Sequence, residues 1–155
     1  MSGVSTAQRQ SILNSTFGTS TLYLALFSLL PVDSGLSGVE LSNSNAGYSR
    51  IQMTTTDWEA AKSNGAGLPA TKAWPKAGAT GATQFNPCTA PWDSIDGWGI
   101  LTDNLVYDPT KGTNLLAWGD LANSPIATIT GSIIGFAAPN SQIIVQCGSL
   151  DDVFS

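Results

Sequence analysis

Residues 21–27, with the sequence TLYLALF, constrain the fold most strongly because they are apolar on both faces of an extended chain. Side chains alternate along a strand, so the three leucines point to one side and Tyr23, Ala25 and Phe27 to the other. A strand of this kind has to be covered on both faces. The segment therefore predicts a central strand that runs to Leu29 and ends before the turn signals that begin at Pro31.

Shorter strands, separated by Gly, Pro and Asn turn signals, are predicted along most of the remaining chain. Strands at intervals of about 8–12 residues are typical of an antiparallel sandwich or barrel, and the absence of alternating long helices argues against a parallel α/β sheet. The predicted strands are Tyr48–Thr54, Trp92–Leu101, Asn114–Leu121, Ile126–Thr130, Ile133–Ala137 and Gln142–Cys147. We expect a mainly β fold, an antiparallel β-sandwich in a single domain over residues 1–155, with one short N-terminal helix and a long Gly/Ala-rich loop. Its expected core comprises Leu22, Leu24, Leu26, Phe27, Trp98, Trp118, Phe136 and Ile144.

Residues 5–17 predict the helix, within an N-terminal helical segment 1–18. Ser5 and Gln8 fit a capping box, and Gly18 stands where a C-terminal glycine is expected. Three apolar side chains share one face at helical spacing: Ile12, Leu13 and Phe17. Because this helix is short, it is expected to pack on the sheet or on a neighbouring subunit.

Residues 57–83 predict an extended loop or arm, since Gly, Ala, Pro and Thr fill most positions between 65 and 81. Trp74-Pro75 lies in its middle with little local core to join. Either Trp74 packs back onto its own sheet or it inserts into a neighbouring subunit, because Trp is enriched at interfaces. Both alternatives stay open, and the candidate intersubunit residues are Ile12, Leu13, Phe17, Trp74, Pro75 and Phe154.

The charge pattern excludes several classes of partner. Only 11% of the residues are charged, the net charge is −5, and the six basic residues are scattered. Nucleic-acid binding needs a concentrated positive surface, so no nucleic-acid partner is expected. The longest apolar run, 22–30, is too short to span a bilayer, and the N-terminus lacks signal-peptide features, so we expect neither membrane anchoring nor export by that route. A surface with so few charges is common in proteins that pack against copies of themselves, and it is equally common in proteins that function outside the cytosol.

No constellation of residues predicts catalysis, a metal site or a cofactor. The chain has no histidine, which removes the commonest general base. Asp93, Asp96 and Asp103 do not have the spacing of an EF-hand loop, so a Ca²⁺ site is not favoured. Cys88 and Cys147 are expected to be buried free thiols, with a disulfide left open because geometry decides it. We therefore expect a protein that is not an enzyme.

An ordered set of short motifs runs along most of the chain. The motifs are Phe17-Gly18, the segment 21–27, Pro31-Val32-Asp33, Gly47-Tyr48-Ser49-Arg50, Trp98-Gly99-Ile100, the segment 114–121, Phe136-Ala137-Ala138 and the segment 142–145. In this order they resemble a family of small bacteriophage virion proteins that are often labelled tail-fibre proteins. Related β-sandwich modules occur as fibre or spike tips and as capsid cement proteins, including trimeric ones on short-tailed cyanophages. Residues 55–90 depart from the pattern, since they are longer and richer in Ala and Gly.

The resemblance implies a structural role on the virion surface after assembly in the host bacterial cytoplasm. We favour a capsid cement or decoration protein, since one domain leaves no room for a fibre shaft beside it. The alternative is a tail-fibre or spike tip that binds a host receptor or glycan. An exposed Trp58, Trp74 or Trp92 could then stack on sugar rings, although we favour a core or interface position for each of them. A glycan depolymerase is a weak third hypothesis, because histidine is missing. Expected partners are two further copies in a homotrimer, the major capsid protein or another virion protein, and a host surface glycan.

Overall fold

The computed structural model describes residues 4–42, 44–66 and 68–147, which fall into two compact units. The helical unit takes its described residues from the segments Met1–Ser20, Thr54–Gly81 and Phe136–Ser155, and the five-stranded unit from Thr21–Met53 and Ala82–Gly135. The elements are α1 (Thr6–Thr16), β1 (Leu22–Leu29), β2 (Val39–Glu40), β3 (Ile51–Met53), β4 (Ala70–Trp74), β5 (Gly97–Leu101), β6 (Leu115–Asp120) and β7 (Ile143–Cys147), with 3₁₀ turns at Ser44–Ala46 and Thr55–Asp57.

Strand β1 is the centre of the five-stranded unit, as residues 21–27 predicted. It pairs with β5 along one edge, and β2 and β3 follow each other along its other edge, so that the order is β2-β1-β5-β6 with β3 beside β1. Every pairing is antiparallel. All three leucines of β1 that were predicted to share a face are buried, and so is Phe27 on the opposite face. The strand is therefore covered on both sides.

Glycines in β5 make room for the large side chains of the neighbouring strand. Gly99 lies opposite Ala25, and a Cβ atom built on it would stand 2.5 Å from the ring of Phe27. Phe27 in turn meets the ring of Tyr107 edge to face, with centroids 5.2 Å apart. Together with Ala25 and Leu101, these two rings form a buried cluster on this face of the sheet.

In the helical unit, α1 packs against β4 and β7. The predicted cap is present, because the Ser5 hydroxyl accepts a hydrogen bond of 3.2 Å from the backbone N–H of Gln8. Gly18 follows the helix with φ +96°, a conformation that suits glycine. Leu13 and Phe17 are buried, and the ring of Phe17 lies 5.2 Å from that of Trp58.

Residues 57–83, which we expected to form an extended loop or arm, contain a buried strand. Strand β4 pairs with β7 over five residue pairs, from Ala70 opposite Cys147 to Trp74 opposite Ile143. After it, the Asp57 carboxylate accepts backbone hydrogen bonds from Thr80 (2.9 Å) and Gly81 (2.7 Å) and fixes the end of this region. The ATKAW sequence of β4 lacks a clear alternation, so its pairing with β7, rather than local pattern, defines it as a strand.

Most of the expected core is buried, with two departures. Trp98 and Phe136 are buried as expected, whereas Trp118 is only partly buried. Ile144 was predicted in the core and is 57% exposed, while Ile143 and Val145 are buried. The prediction for Ile144 was wrong because 143–145 is a continuous apolar run, which does not reveal which face of the strand points inward.

The predicted fold class is confirmed: the chain is mainly β, its sheets are antiparallel, it has one short N-terminal helix, and it is consistent with a β-sandwich. Two predicted strands, 126–130 and 133–137, form only isolated bridges, at Ile126, Gly135 and Ala137. Cys88 and Cys147 are both free thiols, and Cys147 is only partly buried. The single domain stays a prediction.

Candidate functional site

The five-stranded unit carries a cavity of about 730 Å³ on the side of the sheet next to β2 and β3. It is lined by Tyr23 of β1 and by parts of three segments, 38–44, 48–52 and 104–109. Its volume lies within the range of small-molecule binding sites, which is roughly 300–1,000 Å³. We therefore take this cavity as the candidate functional site.

The sheet register places two polar side chains side by side in the cavity wall. Tyr23 lies directly opposite Gln52 of β3, and opposite residues in antiparallel strands project to the same face. Gln52 is exposed, and Tyr23 is partly buried. An aromatic ring and an amide group consequently stand next to each other at the wall.

A partly buried ion pair between Glu40 and Arg50 joins β2 to the start of β3. The Arg50 Nε donates to Glu40 Oε1 at 2.8 Å and its Nη2 donates to Oε2 at 2.7 Å, a bidentate geometry. The exposed fractions of the two side chains are 8% for Arg50 and 16% for Glu40. Burial tends to lower the pKa of Arg50, but the hydrogen bonds and charge of Glu40 outweigh it and raise the pKa, so the guanidinium stays charged.

The hydroxyl of Tyr48 fills the gap that β2 and β3 leave along the edge of β1. It accepts the backbone N–H of Leu26 at 3.0 Å and donates to Glu40 Oε1 at 3.1 Å. Burial, reinforced by the charge of Glu40, raises the pKa of Tyr48 far above its ordinary value. The hydroxyl therefore stays protonated and holds the Glu40 carboxylate in place.

The loop after β5 closes the cavity, and Asp103 orders it. Arg50 Nη1 donates to the backbone oxygen of Asp103 at 3.2 Å, while the Asp103 carboxylate accepts from the N–H of Leu105 and the side chain of Asn114. The hydrogen bonds from Asn114 and Leu105 lower the pKa of Asp103. At the rim of this loop, Val106 is 89% exposed. The Glu40–Arg50 pair thus connects three segments of the wall into one rigid network.

The groups that line the cavity are suited to binding a ligand. Among the lining residues that the structure describes, only Glu40 and Arg50 are charged, and they form an ion pair. The remaining polar lining consists of hydroxyl and amide groups, which both donate and accept hydrogen bonds. Within residues 4–42, 44–66 and 68–147, no cluster of three or more His, Cys, Asp or Glu side chains could hold a metal ion.

The structure places most of the predicted interface residues inside the helical unit. Leu13, Phe17, Trp74 and Pro75 are buried, and Trp74 lies 6.0 Å from the ring of Phe136. This burial favours the alternative in which Trp74 packs on its own sheet. Ile12 is exposed, so it can contact a neighbour, whereas Phe154 lies outside the described residues.

The tryptophans proposed to stack on sugar rings are not accessible. Trp58, Trp74 and Trp92 are all buried, and the Trp92 indole N–H donates to the backbone oxygen of Ala46 at 2.9 Å. The sugar-stacking alternative is therefore not supported for these three tryptophans, and each contributes to a local core, in line with the position favoured from the sequence. The partly exposed aromatic ring at the cavity is that of Tyr23.

Sequence reasoning missed the cavity residues, although one signal pointed to them. The chain has only two glutamates and two arginines, and Glu40 and Arg50 are one of each. In a chain with so few charged residues, each long charged side chain is expected to have an ion-pair partner or a functional role. Their pairing, however, depends on how β2 and β3 lie along β1, which spacing alone does not show.

Comparisons with known proteins point to a bacteriophage family. A family model described as Podophage GP4 fiber I protein gp80 matches residues 3–143. Searches of curated proteins and of solved structures gave no match. Among the described residues, no helix has the length and apolar character needed to cross a membrane.

Proposed function

The chain belongs to the family described as Podophage GP4 fiber I protein gp80, and from this premise we propose that it is a non-enzymatic fibre component that contacts the host surface. The observation that carries the proposal is the length of the family match, which runs from before α1 to Ile143, the first residue of β7, and includes every residue of the cavity. The chain is thus a phage structural protein and a virion component. Its position on the virion surface is part of the proposal.

Two features of the five-stranded unit support a recognition role. The cavity walls are held by a bidentate ion pair and by the Tyr48 hydroxyl, so that a ligand would meet a preformed surface. The cavity also combines an aromatic ring with neutral hydrogen-bonding groups. Preformed pockets with a few fixed polar groups are typical of specific binding sites.

Capsid decoration, which we favoured from the sequence alone, is the competing function. The family description refers to a fibre, and this favours the fibre over the capsid shell. Both functions need the protein to bind a virion neighbour, for which the major capsid protein and other virion proteins are the candidates. Neither requires catalysis.

We also propose that the protein assembles as a homotrimer. Many large apolar side chains are exposed, among them Val32, Leu105, Val106 and Ile129, on a chain with few charges to keep copies apart. Exposed apolar surface of this kind favours association. Ile12 is the predicted interface residue that remains accessible for it.

Copy number and position on purified virions test the fibre against the capsid. We expect quantitative mass spectrometry to give a copy number matching the tail proteins, and gold-labelled antibodies to mark the tail region. A copy number near that of the major capsid protein, with label spread over the shell, would reject the fibre proposal in favour of decoration.

A further inference from the structure

We propose that the cavity of the five-stranded unit binds a neutral saccharide, with Tyr23, Gln52 and Asn104 as the groups that contact it. This inference rests on the proposed function, since it names the class of host molecule that the fibre would recognise. The charge, the hydrogen-bonding groups and the apolar surface of the cavity wall all match such a ligand.

The charge of the wall selects against ionic ligands. Glu40 and Arg50 are the charged side chains of the lining, and each already satisfies the other at 2.7–2.8 Å. The third guanidinium nitrogen of Arg50, Nη1, donates a hydrogen bond to the backbone oxygen of Asp103. An anion would have to break this network to reach the guanidinium and would then face the carboxylate. A cation would have to compete with Arg50 for Glu40, so a neutral ligand fits best.

The hydrogen-bonding groups of the wall match a ligand rich in hydroxyls. Gln52 and Asn104 are exposed amides, each of which donates and accepts, and Ser42 and Ser49 add exposed hydroxyls. A sugar hydroxyl also donates and accepts, so it can pair with any of these groups. An apolar ligand would leave these amides and hydroxyls without partners, which is costly when they are desolvated.

An aromatic ring and an apolar rim complete the match. The ring of Tyr23 stands beside Gln52 in register, and Val106 projects at the rim, 89% exposed. The faces of a pyranose ring that carry C–H groups are apolar and pack on aromatic or aliphatic surfaces. A cavity of about 730 Å³ has room for such a ring.

Solution NMR of the full chain tests the inference with defined probes. The neutral probes are maltose, lactose and mannobiose, and sialyllactose is the anionic counterpart of lactose. We expect at least one neutral disaccharide to shift the signals of Tyr23, Gln52 and Asn104 saturably, and lactose to bind no more weakly than sialyllactose. The substitution Gln52→Ala should weaken that binding about fivefold, the effect of one lost hydrogen bond.

The control is Gln8→Ala, which removes the same side chain from an exposed position of α1 and should leave binding unchanged. Folding of each variant is checked from its amide spectrum, and Tyr23→Phe offers a second, smaller change to the wall. The inference would be overturned if none of the three neutral disaccharides shifted the cavity signals, if sialyllactose bound more tightly than lactose, or if those signals responded only to protein concentration. Such results would leave the fibre assignment standing, because that depends on copy number and position on the virion.

Discussion

At the scale of single residues, a few buried polar groups hold the irregular parts of this chain. Asp57 is almost completely buried, and its carboxylate accepts the backbone N–H groups of Thr80 and Gly81 as well as the Thr80 hydroxyl. A side chain at position 81 would collide with the Thr54 hydroxyl, so glycine is required there. One carboxylate thus anchors a turn that has no regular secondary structure.

The pH dependence of the free energy of unfolding should reveal the contribution of the Asp57 carboxylate. Burial alone raises the pKa of Asp57, but the hydrogen bonds from Thr80 and Gly81 outweigh it and hold the pKa below its ordinary value. Ionised Asp57 therefore stabilises the folded state above the pKa of the unfolded chain, and this contribution is lost as the pH falls toward the lower folded-state pKa. We expect Asp57→Asn to lower the free energy of unfolding by about 1–3 kcal/mol near neutral pH.

Urea titrations of wild type and variant at several pH values measure this difference, which should shrink as the pH falls to about 3. The matched control is Asp120→Asn, which removes the same charge from an exposed position in β6 and should change stability little. A difference between wild type and Asp57→Asn that stayed constant with pH would contradict the assigned role of the carboxylate.

At the scale of elements, the sequence predicted those helices and strands that depend on interactions between neighbouring residues. Helix α1 and strand β1 could be predicted because their signals lie within or next to them in the sequence. These signals are the cap at Ser5, the glycine at 18 and the apolar run at 21–27. Strand β4 and the Glu40–Arg50 pair could not, because each depends on a partner brought in by the sheet. The same applies to the cavity, whose walls come from segments that are distant in sequence.

The inward face of β7 can be tested by substituting two adjacent isoleucines. Ile143 is buried opposite Trp74, whereas Ile144 is mostly exposed opposite Ala73. We expect Ile143→Ala to lower the free energy of unfolding by about 2–5 kcal/mol and Ile144→Ala by less than about 1 kcal/mol. Chemical denaturation measures both free energies of unfolding. Because the two substitutions make the same chemical change, equal effects would contradict the assignment of Ile143 to the inward face of β7.

At the scale of the whole molecule, low charge and exposed apolar side chains favour assembly over dispersion. Only 11% of the residues are charged, and the exposed apolar side chains occur along both units, from Val4 to Ile144. A solitary soluble protein usually has more charged surface. The proposed trimer is the simplest arrangement that would cover part of this surface.

Sedimentation velocity of the isolated protein tests the trimer. We expect a species with three times the mass of the 16.1 kDa chain, which dissociates on dilution. Replacing the exposed Ile12 by Asp should shift the population toward monomer, because a charge in an apolar contact is costly. The same change at Ala122, an exposed turn residue, serves as the control. A monodisperse monomer at high concentration would reject the trimer.

The pairing of β4 with β7 also sets an order of events during synthesis. The second segment of the five-stranded unit, 82–135, leaves the ribosome between these two strands. Until β7 follows, β4 has no strand to pair with, and Trp74 lacks its neighbour Phe136. A nascent chain released too early would therefore expose an apolar, unpaired strand, the kind of segment that proteases and chaperones recognise. A chain that ends before β7 is therefore expected to be degraded faster than one that includes it.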